Sequence, residues 1–223
     1  DYGFSESISS IRTAVSMDNL EHPHKVIMVT SSVGREGKST VARNLADAFA
    51  KSEKTLLLDA DMRRSSMGAI LHLPDSTKGL AEFLNCEARV ADLIIPREAD
   101  RADIMLCGSI PRDPQQFLAR EGMADALGML KQQYDRIIID TPPVLPVRDA
   151  LLLARSADAV IVVVKADATP RRQISQGLQL LERVGAPVVG IVVNQLDVRK
   201  AEKYGDYGYG GYYDAYGSIS AAR

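Results

Sequence analysis

The sequence is short of the features that define several large protein classes. Only two of its 223 residues are cysteine, Cys86 and Cys107, and they form neither a CxxC pair nor a dense framework. A disulfide scaffold is therefore excluded, and reduced thiols in or near the core are expected, as in a cytoplasmic compartment. A basic excess is also missing: 27 lysines and arginines face 29 acids, for a net charge of −2. Broad nucleic-acid binding, which needs a positive face, is excluded on that ground. No apolar run reaches the roughly 18 residues of a membrane span, and no secretory signal is visible. Histidine is scarce, and His22 and His24 in "EHPHK" lack a third ligand. They read as a surface turn before the first strand and not as a metal site. The chain opens at Asp1 and not at methionine, so it reads as the soluble piece of a longer polypeptide whose membrane parts are missing.

What the sequence does contain is alternation on a larger scale. "KVIMVTSS" (25–32), "TLLLDA" (55–60), "ADIMLC" (102–107), "RIIID" (136–140), "AVIVVVKA" (159–166) and "PVVGIVVN" (187–194) read as buried strands. Helical spacing of apolar residues fills 38–52, 114–133, 148–155 and 171–184. Strands that are apolar throughout, without alternation, need cover on both faces, which predicts an α/β fold with a doubly wound, mostly parallel sheet. Residues 5–17 predict a helix outside that sheet. The periodic pattern stops near Val198, which divides the chain into an N-terminal helical segment (1–22), one α/β domain (23–197) and a tail (198–223).

The tail is unusual in composition. Tyr204, Tyr207, Tyr209, Tyr212, Tyr213 and Tyr216 place six of the eight tyrosines within thirteen residues, together with four glycines, two aspartates and an alanine. Such a segment has no apolar period to bury, and its glycines raise the entropy cost of ordering it.

Chemistry concentrates where strands end. "TSSVGREGKST" follows the first strand and opens the first long helix. In that setting, backbone N–H groups of Gly34, Arg35, Glu36 and Gly37 and a helix N-terminus can converge on phosphate oxygens. Lys38 would reach the β- and γ-phosphates of a nucleotide, Ser39 would offer its hydroxyl to Mg²⁺, and Thr40 could bond the α-phosphate. The strict phosphate-loop pattern fails at one position, because Ser32 stands where its first glycine belongs. Asp59 and Asp61 end the second strand in "LLLDADMRRS", two apart and so on one side if extended. Asp140 ends the fourth in "YDRIIIDTPP", where an aspartate after a buried strand holds Mg²⁺ directly or through water. Arg63 and Arg64 read either as a solvated helix start or as an attractor for the acidic tail.

Together, "SSVGREGKST", "LLLDADMRRS", "IIIDTPPV", "GLAEFL", "IPRDPQQFL", "VRDALLLARSADAVIVVVKA" and the tyrosine-rich end resemble one family across nearly the whole chain. It is the cytoplasmic kinase domain of bacterial tyrosine kinases that regulate capsular and exopolysaccharide chain length. The resemblance implies a P-loop fold of the deviant-Walker ATPase type, ATP and Mg²⁺ as cofactors, and autophosphorylation of the tail tyrosines. It also implies self-association, with a ring as one arrangement, a membrane-embedded activator on the same or another chain, an opposing tyrosine phosphatase, and a place at the cytoplasmic face of the inner membrane. The related partition and septum-positioning ATPases carry a lysine five residues before the loop lysine; here that residue is Val33.

The resemblance is incomplete in places. The family's N-terminal E-x-x-R-x-x-R, associated with subunit packing, appears as Glu6, Ser9 and Arg12, so its first arginine is missing. Gly34 and Arg35 replace a more common Pro-Gly; Arg35 reads as a solvated loop residue, with phosphate contact the alternative. Gln116 stands where the family commonly has glutamate. The reaction expected is phosphoryl transfer to a tyrosine hydroxyl, with Asp59 accepting or orienting its proton and Asp61, Asp140 and Ser39 holding the metal. Asn194 is a candidate base contact. A switch-type ATPase using water as nucleophile, and a non-catalytic nucleotide-dependent scaffold, stand as alternatives.

Overall fold

The six apolar runs become six strands, and five of them are largely buried between helices. They are β1 (Val26–Ser31), β2 (Thr55–Asp59), β3 (Asp103–Met105), β4 (Arg136–Asp140), β5 (Ala159–Lys165) and β6 (Val188–Asn194). The computed structural model describes residues 2–18, 24–119 and 121–197. The strands form a single sheet in the order β3-β2-β4-β1-β5-β6, and every pairing between them is parallel. From β1 the chain runs outward in one direction to β2 and later in the other to β5, so a crevice opens beyond the carboxyl end of β1.

Alternate residues of each strand serve different faces. Met28, Leu56, Leu58, Ile139 and Val162 pack with α4 (Leu80–Leu84), α6 (Glu121–Gln133), α7 (Asp149–Ala154) and α8 (Arg171–Arg183). Ile27, Val29, Leu57, Ile138 and Val163 pack against α2 (Lys38–Ala50) and α3 (Met67–Ile70). The N-terminal helix α1 (Tyr2–Asp18) lies outside the sheet, as its spacing predicts, and reaches the second cluster through the buried Val15. Arg12 donates from Nη1 to the Ala48 carbonyl at 3.1 Å, so this arginine ties α1 to α2 within the chain. Glu6 is exposed.

Several expectations need correction. The apolar stretch 187–194 is not a buried strand: β6 is one edge of the sheet, with Ile191 and Val193 exposed. The single helix expected over 114–133 is two, α5 (Pro114–Leu118) and α6. Asp113 caps α5 by accepting from the N–H groups of Gln115 and Gln116, and Pro114 sets its first turn. Cys107 is buried, but Cys86 is exposed; both are free thiols. His24 is buried beside Asp18 (Nε2–Oδ2 3.3 Å), not a surface residue. His22 lies outside the described residues, as do the tail tyrosines. Among the described residues no helix is long and apolar enough to cross a membrane.

At the amino ends of the strands, polar groups close on one another. Arg136 pairs with Glu53 at 2.9 Å and lies over the Phe49 ring, 4.7 Å from its centroid. Phe49 is among the largest fully buried side chains. Phe49→Ala is therefore expected to cost about 3–5 kcal/mol in urea unfolding, with an unchanged denaturant slope. A cost under about 1 kcal/mol would show that α2 is not packed in solution as described.

Candidate active site

The phosphate loop is residues 32–37, between the end of β1 and Lys38 at the start of α2. Its shape is fixed by contacts that the motif pattern does not encode. The Glu36 carboxylate is buried and folded inward, accepting from Val33 N at 2.7 Å, from Lys165 N at 3.3 Å and from the Thr169 hydroxyl. This side chain holds the loop against the end of β5, which leaves the backbone of Glu36 for any phosphate contact. Asn194, at the end of β6, donates from Nδ2 to the Glu36 carbonyl at 2.9 Å. Gly37 has φ 88, and a Cβ added there would lie 2.1 Å from Asn194 Nδ2. Glycine is required at 37 by a positive φ and by this neighbour together. Ser32 is buried against α8, where an added Cβ on Gly177 would come within 2.9 Å of its hydroxyl oxygen. The missing first glycine of the pattern is thus matched by a glycine on the facing helix.

Lys38 stands at the head of α2 with its ammonium 3.0 Å from Asp61 Oδ2 and 3.9 Å from Asp140 Oδ1. It also donates to Ser39 Oγ at 3.3 Å. Burial works against its charge, but Asp140 and Asp61 outweigh that, and its pKa is raised. Asp59 and Asp61 do come together, though not by strand alternation. The strand ends at Asp59, and the chain turns so that Asp61 N donates to Asp59 Oδ1 at 3.0 Å. Asp59 Oδ2 accepts from the Ser65 hydroxyl at 2.5 Å. Burial raises the Asp59 pKa to about 6 against the Ser65 and Asp61 hydrogen bonds, with a smaller push from the charge of Asp61. Asp140 is pushed to about 7 by burial, opposed by Lys38 and reinforced by Asp59.

The donor set suits a hard cation shared with a phosphate. Asp140 Oδ1 is buried and accepts no hydrogen bond, and Asp61 and Ser39 add oxygens beside the same lysine. No three of the acidic, histidine or cysteine residues among those described converge as a closed metal cage. An ion with Mg²⁺ preferences fits that pattern, since it commonly uses one or two carboxylates together with substrate phosphates. Thr40 is exposed in the first turn of α2, and Arg35 is exposed at φ 68.

One pair was not legible in the sequence. Arg63 is neither a solvated helix start nor free for the tail: it grips Asp149 with Nε–Oδ2 at 2.6 Å and Nη2–Oδ1 at 3.0 Å. Asp149 is fully buried at the start of α7. The backbone N–H groups of Arg63 and Arg64 both donate to Asp61 Oδ1, at 3.3 and 3.0 Å. The clamp therefore links the segment after β4 to the carboxylate that holds Lys38. Its only sequence sign was an arginine two residues beyond the D-x-D pair.

A lysine held between carboxylates at the head of a glycine-loop helix defines a P-loop nucleotide-binding protein, and residues 24–188 match the family model described as an AAA domain. The septum site-determining protein MinD of Pyrococcus horikoshii, solved with Mg-ADP, shares the fold at a TM-score of 0.65 and 24% identity, over 78% of this chain and 71% of that one. Closer likeness narrows the class. Tyrosine-protein kinase YwqD of Bacillus subtilis is 31% identical over 92% of this chain and 86% of its own length. The kinase domain of the Escherichia coli tyrosine kinase ETK superposes with a TM-score of 0.80 at 27% identity, covering 86% of this chain and 77% of that one. The chain belongs to the bacterial tyrosine-protein kinase family.

Two outcomes follow from the geometry. A carboxyl whose folded pKa is about 7, against the 3.8 of an ordinary aspartate, keeps a proton that the unfolded chain has released. Asp140 therefore lowers stability progressively as pH rises from about 4 to about 7. In metal-free protein the melting temperature is expected to fall over that window, and Asp140→Asn should flatten the fall when melting is followed by circular dichroism; an identical slope in the variant would contradict the assignment. Arg63→Met should cost about 2 kcal/mol, below the usual 3–5 for breaking a buried pair because Arg63 is a third exposed. Arg64→Met, which removes no ion pair among the described residues, should cost little in the same unfolding assay.

Proposed function

We propose that the chain is an ATP- and Mg²⁺-dependent protein-tyrosine autokinase acting on its own cluster Tyr204, Tyr207, Tyr209, Tyr212, Tyr213 and Tyr216. The observation that carries this reading is Lys38 held by Asp61 and Asp140 at the head of α2, with Asp59 alongside. Lys38 and the N–H groups of the loop from Gly34 to Gly37 bind the phosphates. Ser39, Asp61 and Asp140 hold Mg²⁺, which when bound neutralises charge that develops on the transferring phosphoryl group. Asn194 shapes the loop and borders the nucleotide.

A tyrosine hydroxyl has a pKa near 10, so it attacks poorly without a base. Asp59 takes or orients that proton. Its carboxylate, pushed to about 6, is ionised at neutral pH yet more basic than an ordinary aspartate. Ser65 occupies Asp59 Oδ2, so the phenol replaces or relays through that hydroxyl. The rest of the acceleration is positioning and electrostatics. Reach is sufficient: the roughly 18 residues beyond Val198, up to Tyr216, span roughly 60 Å when extended and about 23 Å root-mean-square as a flexible chain.

By the same resemblance, the protein self-associates through α1 with Glu6 and Arg12, answers to a membrane-embedded activator domain on its own or another chain, and is reversed by a tyrosine phosphatase. It acts at the cytoplasmic face of the inner membrane in polysaccharide polymerisation and export. A partition-type ATPase is the less supported reading, because Val33 stands in place of the lysine those proteins use and its N–H is tied to Glu36.

Mass spectrometry of purified wild type and Lys38→Met, made in a host lacking related kinases, tests the assignment. Phosphate is expected on the tail of the wild type and not on the variant, with both folded. Wild-type levels of tail phosphotyrosine in Lys38→Met would falsify the site. ATP turnover without tail phosphate would mark a switch ATPase, and neither activity a scaffold.

A further inference from the structure

On the sheet face covered by α2 and α3, side chains leave a cleft of about 290 Å³ toward the β3 edge. It lies between α2, the turn that follows α3, and β3 with the segment before it. Its floor is apolar. Ile95 and Ile104 exchange backbone hydrogen bonds in an antiparallel bridge, and Ile70 lies alongside. Its walls are basic: Arg43 comes from α2, Arg97 from the segment before β3, and the exposed His72, at φ 55, from the turn after α3. Among the described residues no acidic side chain lines the cleft. Asp47 follows Arg43 by four residues on α2, the spacing at which opposite charges pair on a helix. Its oxygens are taken instead by Arg97 Nη1 at 3.1 Å, Arg101 Nη1 at 2.7 Å and the Ala102 N–H at 3.2 Å. One carboxylate thus serves two guanidinium groups and leaves the third unserved. Arg43 forms no ion pair among the described residues, and its buried Nε–H has no acceptor there. Asp75 and Glu98, near the cleft in sequence, are exposed and do not line it.

We infer that this cleft is a second ligand site, separate from the phosphate loop, for a small anion with a short apolar body: a carboxylate or phosphate monoester bearing an alkyl or aryl group. A buried N–H without an acceptor carries its desolvation cost uncompensated. An oxyanion placed against Arg43 removes that cost, and the planar guanidinium, with Nε and Nη side by side, matches two oxygens of one anion. Arg97 and His72 add further N–H donors to the walls. The apolar body lies on the isoleucine floor, where its surface leaves water. The volume is at the lower end of the range for small-molecule sites, which selects a short body. None of the residues assigned to phosphate, metal or proton transfer lines this cleft, so recognition here does not depend on the kinase reading. An occupant bridges α2, which Lys38 heads, and the turn that closes α3, without entering the active site.

The probes are hexanoate, hexyl phosphate and hexanol, titrated into the full chain labelled at isoleucine methyls and followed by nuclear magnetic resonance. The methyls of Ile70, Ile95 and Ile104 are expected to shift together with each probe. Hexanoate and hexyl phosphate should bind on the order of tenfold more tightly than hexanol, the worth of about one charge-assisted pair. Arg43→Ala and Arg43→Met should both erase that preference, the second while keeping most of the side chain's volume. Both variants should melt at the wild-type temperature or above it, because each removes a buried donor without an acceptor and puts a good helix former into α2. Saturating Mg-ADP should leave the hexanoate affinity unchanged. Equal affinities for hexanoate and hexanol in the wild type would overturn the assignment, as would an anion preference that survives both Arg43 substitutions. Displacement of hexanoate by Mg-ADP, or shifts that spare these three methyls, would place the probe elsewhere and also overturn it. No step of the titration requires phosphoryl transfer, so its failure leaves the kinase reading standing, and failure of the kinase reading leaves the titration interpretable.

Discussion

Everything at the phosphate edge depends on keeping three carboxylates out of water around one ammonium. Asp59, Asp61 and Asp140 are all buried, and Lys38 is the cation placed among them. Desolvated charges of one sign repel and favour their neutral forms, which is why Asp59 and Asp140 titrate near 6 and 7 and not at the usual aspartate value. The arrangement persists because backbone and side-chain donors are aimed at the oxygens. Asp61 N and Ser65 serve Asp59, and Arg63 N and Arg64 N serve Asp61. Asp140 Oδ1 is buried and accepts no hydrogen bond. Carboxyls whose pKa values are raised by burial cost the fold stability once they ionise.

The two ends of the sheet meet opposite requirements. At the amino ends of the strands, charges are consumed internally: Asp135 accepts from Lys54 N at 2.9 Å, Asp158 from Val26 N at 2.7 Å, and Arg136 is shared by Glu53 and the His24 carbonyl. That end is closed and structural. At the carboxyl ends, the connections carry groups whose hydrogen-bonding capacity is left over or provisionally satisfied, and the chain leaves β6 beside the phosphate loop. Chemistry gathers on one edge because parallel strands place every connecting loop there, over a scaffold that the opposite edge holds rigid.

The strand and helix inventory was largely legible. Runs such as "RIIID" and "AVIVVVKA" are too uniformly apolar for a sheet with one wet face, and the parallel, doubly covered sheet follows. The same logic failed for "PVVGIVVN", because an apolar run states a preference for burial and not whether a neighbour exists to provide it. As the last strand added, β6 has β5 on one side and no strand on the other. The break between α5 and α6 was equally hidden, since apolar spacing continues across it.

Of the site, the sequence by itself determined the residue types and their order: a lysine after a glycine loop and aspartates at the ends of two apolar strands. Those are local facts, fixed by the need for a helix N-terminus at the phosphates and for carboxylates where buried strands emerge. Tertiary structure alone decided how they are held. Glu36 turns inward to Lys165 and Thr169, Asn194 reaches back 158 positions to the loop, and Arg63 closes on Asp149 across 86. Such pairs carry no local signature, because a charged or amide side chain finds its partner only after the sheet has brought the strand ends onto one edge.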